Sequence, residues 1–139
     1  MAKFFQSANE LCDIYQALFK KLLRDSSVGK TVVDLKMNLR FIFTDPKAEI
    51  NIQVDENKWH VLSGETDQKA EITFWMSSDS AHRLWLGQVT PLSAIMSREI
   101  RATGPIRALN EIAAVFGSSR QTYFEILQKH GRADLLPNS

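Results

Sequence analysis

The chain has 139 residues, with 17 basic against 16 acidic side chains and a net charge of +1. That length fits one domain, residues 1–139, with a real core, and the balanced charge gives no argument for nucleic-acid binding. The single cysteine, Cys12, excludes an internal disulfide and suits a reducing compartment; its place in a helical pattern reads as a small core residue.

No run approaches the ~18 apolar residues of a spanning helix. Phe4 and Phe5 lead at once into Gln6, Ser7, Asn9 and Glu10, so no secretory leader is expected. Ser7 to Arg24 predicts an amphipathic helix. Leu11, Ile14, Tyr15, Leu18 and Leu22 recur at steps of three and four, and Phe19 and Leu23 widen the stripe. Lys20, Lys21 and Arg24 collect in its last turns, where cations suit the helix dipole. Such a helix lies on a sheet, or it rests on a membrane surface; the residues allow both. Residues 25–30 read as a loop. Gly29-Lys30-Thr31 is not a phosphate loop, because Arg24 stands where that motif needs its first glycine and a helix precedes it.

Val33 to Phe43 predicts a long strand. Val33, Leu35, Met37, Leu39, Phe41 and Phe43 alternate with Asp34, Lys36, Asn38, Arg40 and Ile42, the last an exception, so one face is buried and the other largely wet. Asp45-Pro46 turns the chain. Ala48, Ile50, Ile52 and Val54 mark a second strand, Trp59 and Val61 a third ending at Gly64, and Ala70, Ile72, Phe74 and Met76 a fourth. Residues 65–69 form a polar link. Trp75 falls on the face opposite Phe74 and Met76.

Ser77-Ser78-Asp79-Ser80 supplies caps for a short helix over Ala81–Leu86, closed by Gly87. Thr90-Pro91 starts another, with Leu92, Ile95 and Met96 on one side. Ile100 to Ala102 reads as a fifth strand. Gly104-Pro105 then turns into a helix carrying Ile106, Leu109, Ile112, Ala113 and Phe116 on one face. Ser118-Ser119 caps a last helix to about His130, with Tyr123, Phe124, Ile126 and Leu127 as its apolar side and Gly131 as its stop.

Little in the chain suggests chemistry. His60, His82 and His130 lack metal-ligand spacing and read as surface or capping residues; no metal site is expected. No Gly-x-Ser-x-Gly occurs, and Asp79 and Glu99 carry no assigned role, so no catalytic residue is named. Lys36 and Arg40 are balanced by Asp34, Glu49, Asp55 and Glu71, which reads as a solvated sheet surface rather than a nucleic-acid face. Abundant apolar surface with little polar machinery either packs solidly or encloses a lipid.

The run Gly87-Gln88-Val89-Thr90-Pro91-Leu92-Ser93-Ala94-Ile95-Met96-Ser97, followed by Ile100 and Gly104, resembles the central signature of the sterol carrier protein type 2 family. Gly87, Pro91, Ala94, Met96, Ser97 and Gly104 fall at matching spacings, while Arg98 stands where the family usually has Gly and Pro105 where it often has a polar residue. The resemblance implies an α/β fold of the α+β type: a roughly five-stranded, mainly antiparallel sheet with helices on one face, enclosing an apolar tunnel that the C-terminal segment helps to cover. It implies non-catalytic binding and transfer of a lipid (fatty acyl, sterol-like or polyprenyl). No cofactor is expected, the N-terminal helix permits transient contact with a membrane surface, and a cytoplasmic location is expected, since Leu136-Pro137-Asn138-Ser139 is no peroxisomal address. The alternative is an accessory subunit that presents a lipid or quinone intermediate to a partner enzyme. The candidate lining is Leu35, Met37, Leu39, Ile52, Phe74, Met76, Leu84, Trp85, Leu92, Ile95, Met96, Leu109, Ile112 and Phe116. Met37, Met76 and Met96 would let it adapt to varied ligands, and Arg98 would meet a lipid carboxylate or phosphate, or simply solvent.

Overall fold

The computed structural model describes residues 4–116 and 119–137. Helix α1 (Ala8–Arg24) is capped by Ser7, whose side chain accepts from the Glu10 amide, and it buries the expected stripe from Leu11 to Leu23. A second helix, α2 (Ser26–Leu35), follows directly. Five strands come next, interrupted by two short helices: β1 (Leu39–Thr44), β2 (Ala48–Asp55), β3 (Lys58–Ser63), β4 (Ile72–Ser77), α3 (Ser78–Trp85), α4 (Pro91–Met96) and β5 (Ile100–Thr103). Helices α5 (Ile106–Phe116) and α6 (Arg120–Lys129) and a 3-10 turn at Ala133–Leu135 complete the chain.

The long strand expected from Val33 is the main correction. Asp25 accepts from the amides of Ser27 and Val28 and so starts a helix where a loop was expected. That helix absorbs Val33, Asp34 and Leu35 and ends at Lys36, which takes the left-handed conformation (φ 55°). The alternation of Val33, Leu35 and Met37 is thus an accident of composition. Val28, Val32 and Leu35, at helical spacing behind an Asp-Ser-Ser cap, carry the competing signal. Gly29 reveals its role here. A Cβ at this position would lie 2.4 Å from the Leu23 carbonyl oxygen, so only glycine lets α2 turn back closely on α1.

The sheet runs β3-β2-β1-β4-β5. The β1–β2, β2–β3 and β4–β5 pairs are antiparallel, while β1 and β4 are parallel, which makes the sheet mixed. The parallel pair forces residues 64–71 to cross from one edge back to the middle. Their path lies over the polar face: Asn51 donates to the Gly64 carbonyl, Arg40 to Gln68 and Asn38 to Lys69. Arg40 also pairs with Glu49 at 3.3 Å. Trp75, on this same face, is covered by the Arg101 guanidinium 4.5 Å from its ring centroid.

The apolar face carries the core. Tyr15 and Phe19 of α1 press against Phe43 and Phe41, with ring centroids 5.3 and 4.6 Å apart. His82, expected at the surface, is 2% exposed. Its Nε2 lies 3.1 Å from the Leu135 carbonyl and its Nδ1 2.7 Å from the Tyr123 hydroxyl, which in turn is 2.9 Å from the Tyr15 hydroxyl. A carbonyl only accepts, so Nε2 carries the ring proton and Nδ1 accepts from Tyr123. Tyr15 then donates to Tyr123, and the two hydroxyls and both ring nitrogens of this relay each have a partner. This relay joins α1, α6, α3 and the C-terminal turn. Arg132 fastens the same tail to the start of the chain, through Glu10 and through the Phe4 carbonyl at 2.8 Å.

Gly29→Ala is expected to lower stability by roughly 1–3 kcal/mol, because the added carbon meets backbone rather than a movable side chain; a urea midpoint equal to wild type would refute this packing. Burial pushes the His82 pKa down to about 4 from an ordinary value of 6.5, a shift that the Leu135 carbonyl and Asp79 partly oppose and Arg132 assists. The unfolded chain therefore binds the extra proton first. The stability that neutral His82 contributes is complete above pH 6.5 and falls as pH drops toward 4, by about 3 kcal/mol in all. NMR titration of the His82 ring, alongside urea unfolding at several pH values, checks both the value and the sign.

Candidate functional site

The helices divide the apolar face of the sheet into two parts. Helix α1 packs solidly on one part. Over the other, α3, α4 and α5 leave a cavity of about 50 Å³ lined by Phe41, Phe74, Met76, Leu84, Trp85, Pro91, Ile95, Ile100, Leu109, Ile112, Ala113 and Phe116. Phe41 belongs to both parts: it meets Phe19 on one side and stacks on Phe74, 5.1 Å away, on the other. The parallel register that places Phe41 beside Phe74 builds this aromatic floor.

The roof follows from local chemistry. Thr90 and Ser93 form a reciprocal capping box, and Pro91 occupies the first turn of α4. Pro91 and Ile95 then face the cavity. Leu92 and Met96, each one residue further on, point away and are 68% and 76% exposed. On α5, Leu109, Ile112, Ala113 and Phe116 face the cavity at steps of three and four. Ile106 continues that stripe by one more turn and is 77% exposed. Large apolar side chains left in water thus gather on α4 and α5, two of the three helices that border the cavity, which is uncommon on a free surface.

Of the expected lining residues, the structure brings together Phe74, Met76, Leu84, Trp85, Ile95, Leu109, Ile112 and Phe116. Leu39 and Ile52 are fully buried in the packed part of the core, outside the cavity wall. Leu35 and Met37, placed by α2 rather than by a strand, lie along a separate groove between α2 and α5. Leu92 and Met96 flank the cavity from outside. Phe41, Pro91, Ile100 and Ala113 complete the wall and were not expected. Phe41 and Ile100 sit on the inner face of their strands, a signal that period two does offer. Which strand neighbours which is what selects them over Leu39 and Ile52. The expected cover by the last helix is also corrected: α6 packs against α1 and contributes no residue to the cavity wall. Ser119 sits at its start without a side-chain cap, and Ser118 lies outside the described residues.

None of the twelve lining side chains ionises. Arg98 is exposed in the turn between α4 and β5 and has φ 67°. That is the left-handed conformation a glycine adopts freely and a side chain makes costlier. Among the described residues no helix is long and apolar enough to cross a membrane, and no group of three or more His, Cys, Asp or Glu is placed to hold a metal ion.

The family model described as the SCP-2 sterol transfer family matches residues 17–117. The chain belongs to this family. That match spans α2, the whole sheet and every helix around the cavity. Solved structures agree on the fold. The sterol carrier protein domain 2 of Helicoverpa armigera superimposes with a TM-score of 0.67 at 16% identity, covering 86% of this chain and 96% of that one. Sterol carrier protein 2 from Yarrowia lipolytica, in its apo form, gives 0.60 at 14% identity, over 76% and 89%. A ubiquinone synthesis protein, UbiJ-SCP2, gives 0.57 at 20% identity, over 77% and 88%. No protein with a curated description matches the sequence.

The left-handed turn yields a stability test. Arg98→Gly is expected to raise stability by about 1 kcal/mol, since relief of the strained φ outweighs the added freedom of the unfolded chain. A thermal midpoint at or below that of wild type would show that the Arg98 side chain contributes more than its backbone costs.

Proposed function

We propose that this protein binds one lipid in the cavity between the sheet and α3–α5 and carries it, with no chemistry of its own. The observation that carries the reading is a wall of non-ionising side chains whose bordering helices α4 and α5 also expose Leu92, Met96 and Ile106. Burial is the mechanism. At about 0.8 kcal/mol per methylene, ten methylenes give a gross ~8 kcal/mol, and ordering costs leave an affinity in the micromolar range at best. A carrier must also release its cargo, so tighter binding would serve it poorly.

The cavity as it stands, about 50 Å³, is too small for such a chain. An engineered cavity of ~150 Å³ holds one benzene, three times the room found here, so the ligand must move α4 and α5 apart as it enters. Helix α4 is suited to this. It spans six residues, and Ala94 is the buried residue that anchors it. Met76 and the Phe side chains of the wall can repack around ligands of different shape. The exposed apolar side chains would then meet a membrane during loading, or a partner enzyme. The likeness to a ubiquinone synthesis protein favours the second arrangement, in which the chain presents a quinone or other lipid intermediate to an enzyme. The single cysteine supports a cytoplasmic setting for either.

Native mass spectrometry of gently purified protein, followed by organic extraction, is expected to find co-purifying lipid. Leu109→Glu, which places a charge in the cavity wall, should abolish it. Met96→Glu, on the outward side of α4, should leave binding within about threefold of wild type. Bare protein that also fails to take up fluorescent fatty acids would refute the carrier.

A further inference from the structure

The cavity wall contains one feature that does not belong to a plain hydrocarbon sleeve. Trp85 is 3% exposed, and its indole Nε1 is buried with no hydrogen-bond partner among the described residues. Arg83 also leaves its Nε unpartnered, but its guanidinium is otherwise engaged, with Glu99 and Ser80. Trp85 has a single donor and nothing takes it. A buried N–H without an acceptor is uncommon in native proteins, and replacing the ring by phenylalanine would remove the problem. On its packed side the indole meets the rings of Tyr15, Phe19 and Phe41 at 5.2, 5.7 and 6.4 Å. An aromatic face is only a second-order acceptor. The Tyr15 hydroxyl donates to Tyr123 and keeps its acceptor lone pairs, but it makes no hydrogen bond to the indole nitrogen. On its other side Trp85 borders both the cavity and the adjoining cleft beside Gly87 and Thr90.

We propose that the Trp85 Nε1–H is the polar recognition point of the cavity, and that the ligand carries there a neutral oxygen acceptor: a ketone, quinone or ester carbonyl. This rests on the lipid-binding reading above and narrows its ligand class. No lining side chain is a cation, so a carboxylate or phosphate drawn to this depth would be left without its counter-charge. A charged head must stay outside, while a neutral carbonyl can enter and receive the indole proton. A saturated hydrocarbon gains nothing from it. Trp85 is thus a specificity-determining residue: its donor has neither a partner nor open surface in the empty protein, and the parting of α4 and α5 that admits the cargo brings an acceptor within its reach.

The test uses the full chain and three probes of equal carbon number: methyl tridecyl ketone, pentadecane and pentadecanoate. Affinities come from displacement of a fluorescent lipid. The indole N–H resonances of the three tryptophans are followed by NMR, with that of Trp85 assigned from the full chain. The ketone is expected to bind roughly three- to tenfold more tightly than pentadecane, and to move the Trp85 indole proton downfield where pentadecane does not. In Trp85→Phe that preference should vanish, with the ketone falling to the level of pentadecane. Pentadecanoate binding should not depend on the substitution. Equal binding of ketone and pentadecane with an unmoved indole signal would overturn the inference and leave the carrier standing. So would a loss of pentadecanoate binding in Trp85→Phe as large as that of the ketone. Failure of all three probes to bind would overturn the carrier reading, and this inference with it. The indole signal is read in the wild-type protein, so the outcome does not depend on how well the variant folds.

Discussion

Two tyrosines and a histidine are buried together, and each must find a hydrogen-bond partner. A buried hydroxyl or ring nitrogen left alone would cost about 1–3 kcal/mol, and three of them would consume much of the stability of a domain this size. The solution is a single ordered line from Tyr15 through Tyr123 to His82 and the Leu135 carbonyl. Its direction is fixed at the far end, because a carbonyl cannot donate. The line decides where α6 and the C-terminal turn must lie. Both are drawn to α1, on the solid part of the core, and away from the cavity. Burial also holds the Tyr15 and Tyr123 hydroxyls well above the usual phenol range, which keeps both neutral.

That placement leaves α3, α4 and α5 over the rest of the sheet, and the two parts of the apolar face therefore differ in kind. Under α1, aromatic rings interlock at 4.6 to 6.1 Å around Phe19 and Tyr15, as native interiors require. Under α4 and α5, space remains, and the bordering helices present apolar side chains to water. Phe41 joins the parts, since it packs on Phe19 and also floors the cavity. A change in the cavity therefore has a short path into the rigid core, and the rigid core in turn fixes where the cavity begins.

Arg98 shows that a residue other than glycine can hold a left-handed turn. The backbone still enters the left-handed region at the turn between α4 and β5, although a side chain makes that turn costlier. The turn is what brings Ile100 into the wall beside Ile95, so the geometric demand is met with Arg98 in place. Trp85 illustrates the reverse. Its ring is an ordinary apolar wall element, and its nitrogen is what makes it unusual, which only the absence of any neighbouring acceptor reveals.

The sequence by itself determined the elements whose periodicity has one reading. The stripe of α1, the strands from Ala48 to Met76, the Thr90-Pro91 start of α4 and the Gly87 stop were all legible, because caps, turns and periods act over a few residues. It misread residues 26–37, where a period of two and a period of 3.6 overlap and Asp25 tips the balance by capping a helix. The eight expected wall residues that do meet come from segments whose inner face was clear: β4, α3, α4 and α5. Tertiary structure alone decided the rest. The parallel pairing of β1 with β4 chose Phe41 over Leu39, the close approach at Gly29 placed Leu35 and Met37 on another groove, and the hydroxyl line took α6 off the cavity. Those outcomes depend on which distant segments become neighbours, and local periodicity carries no information about that.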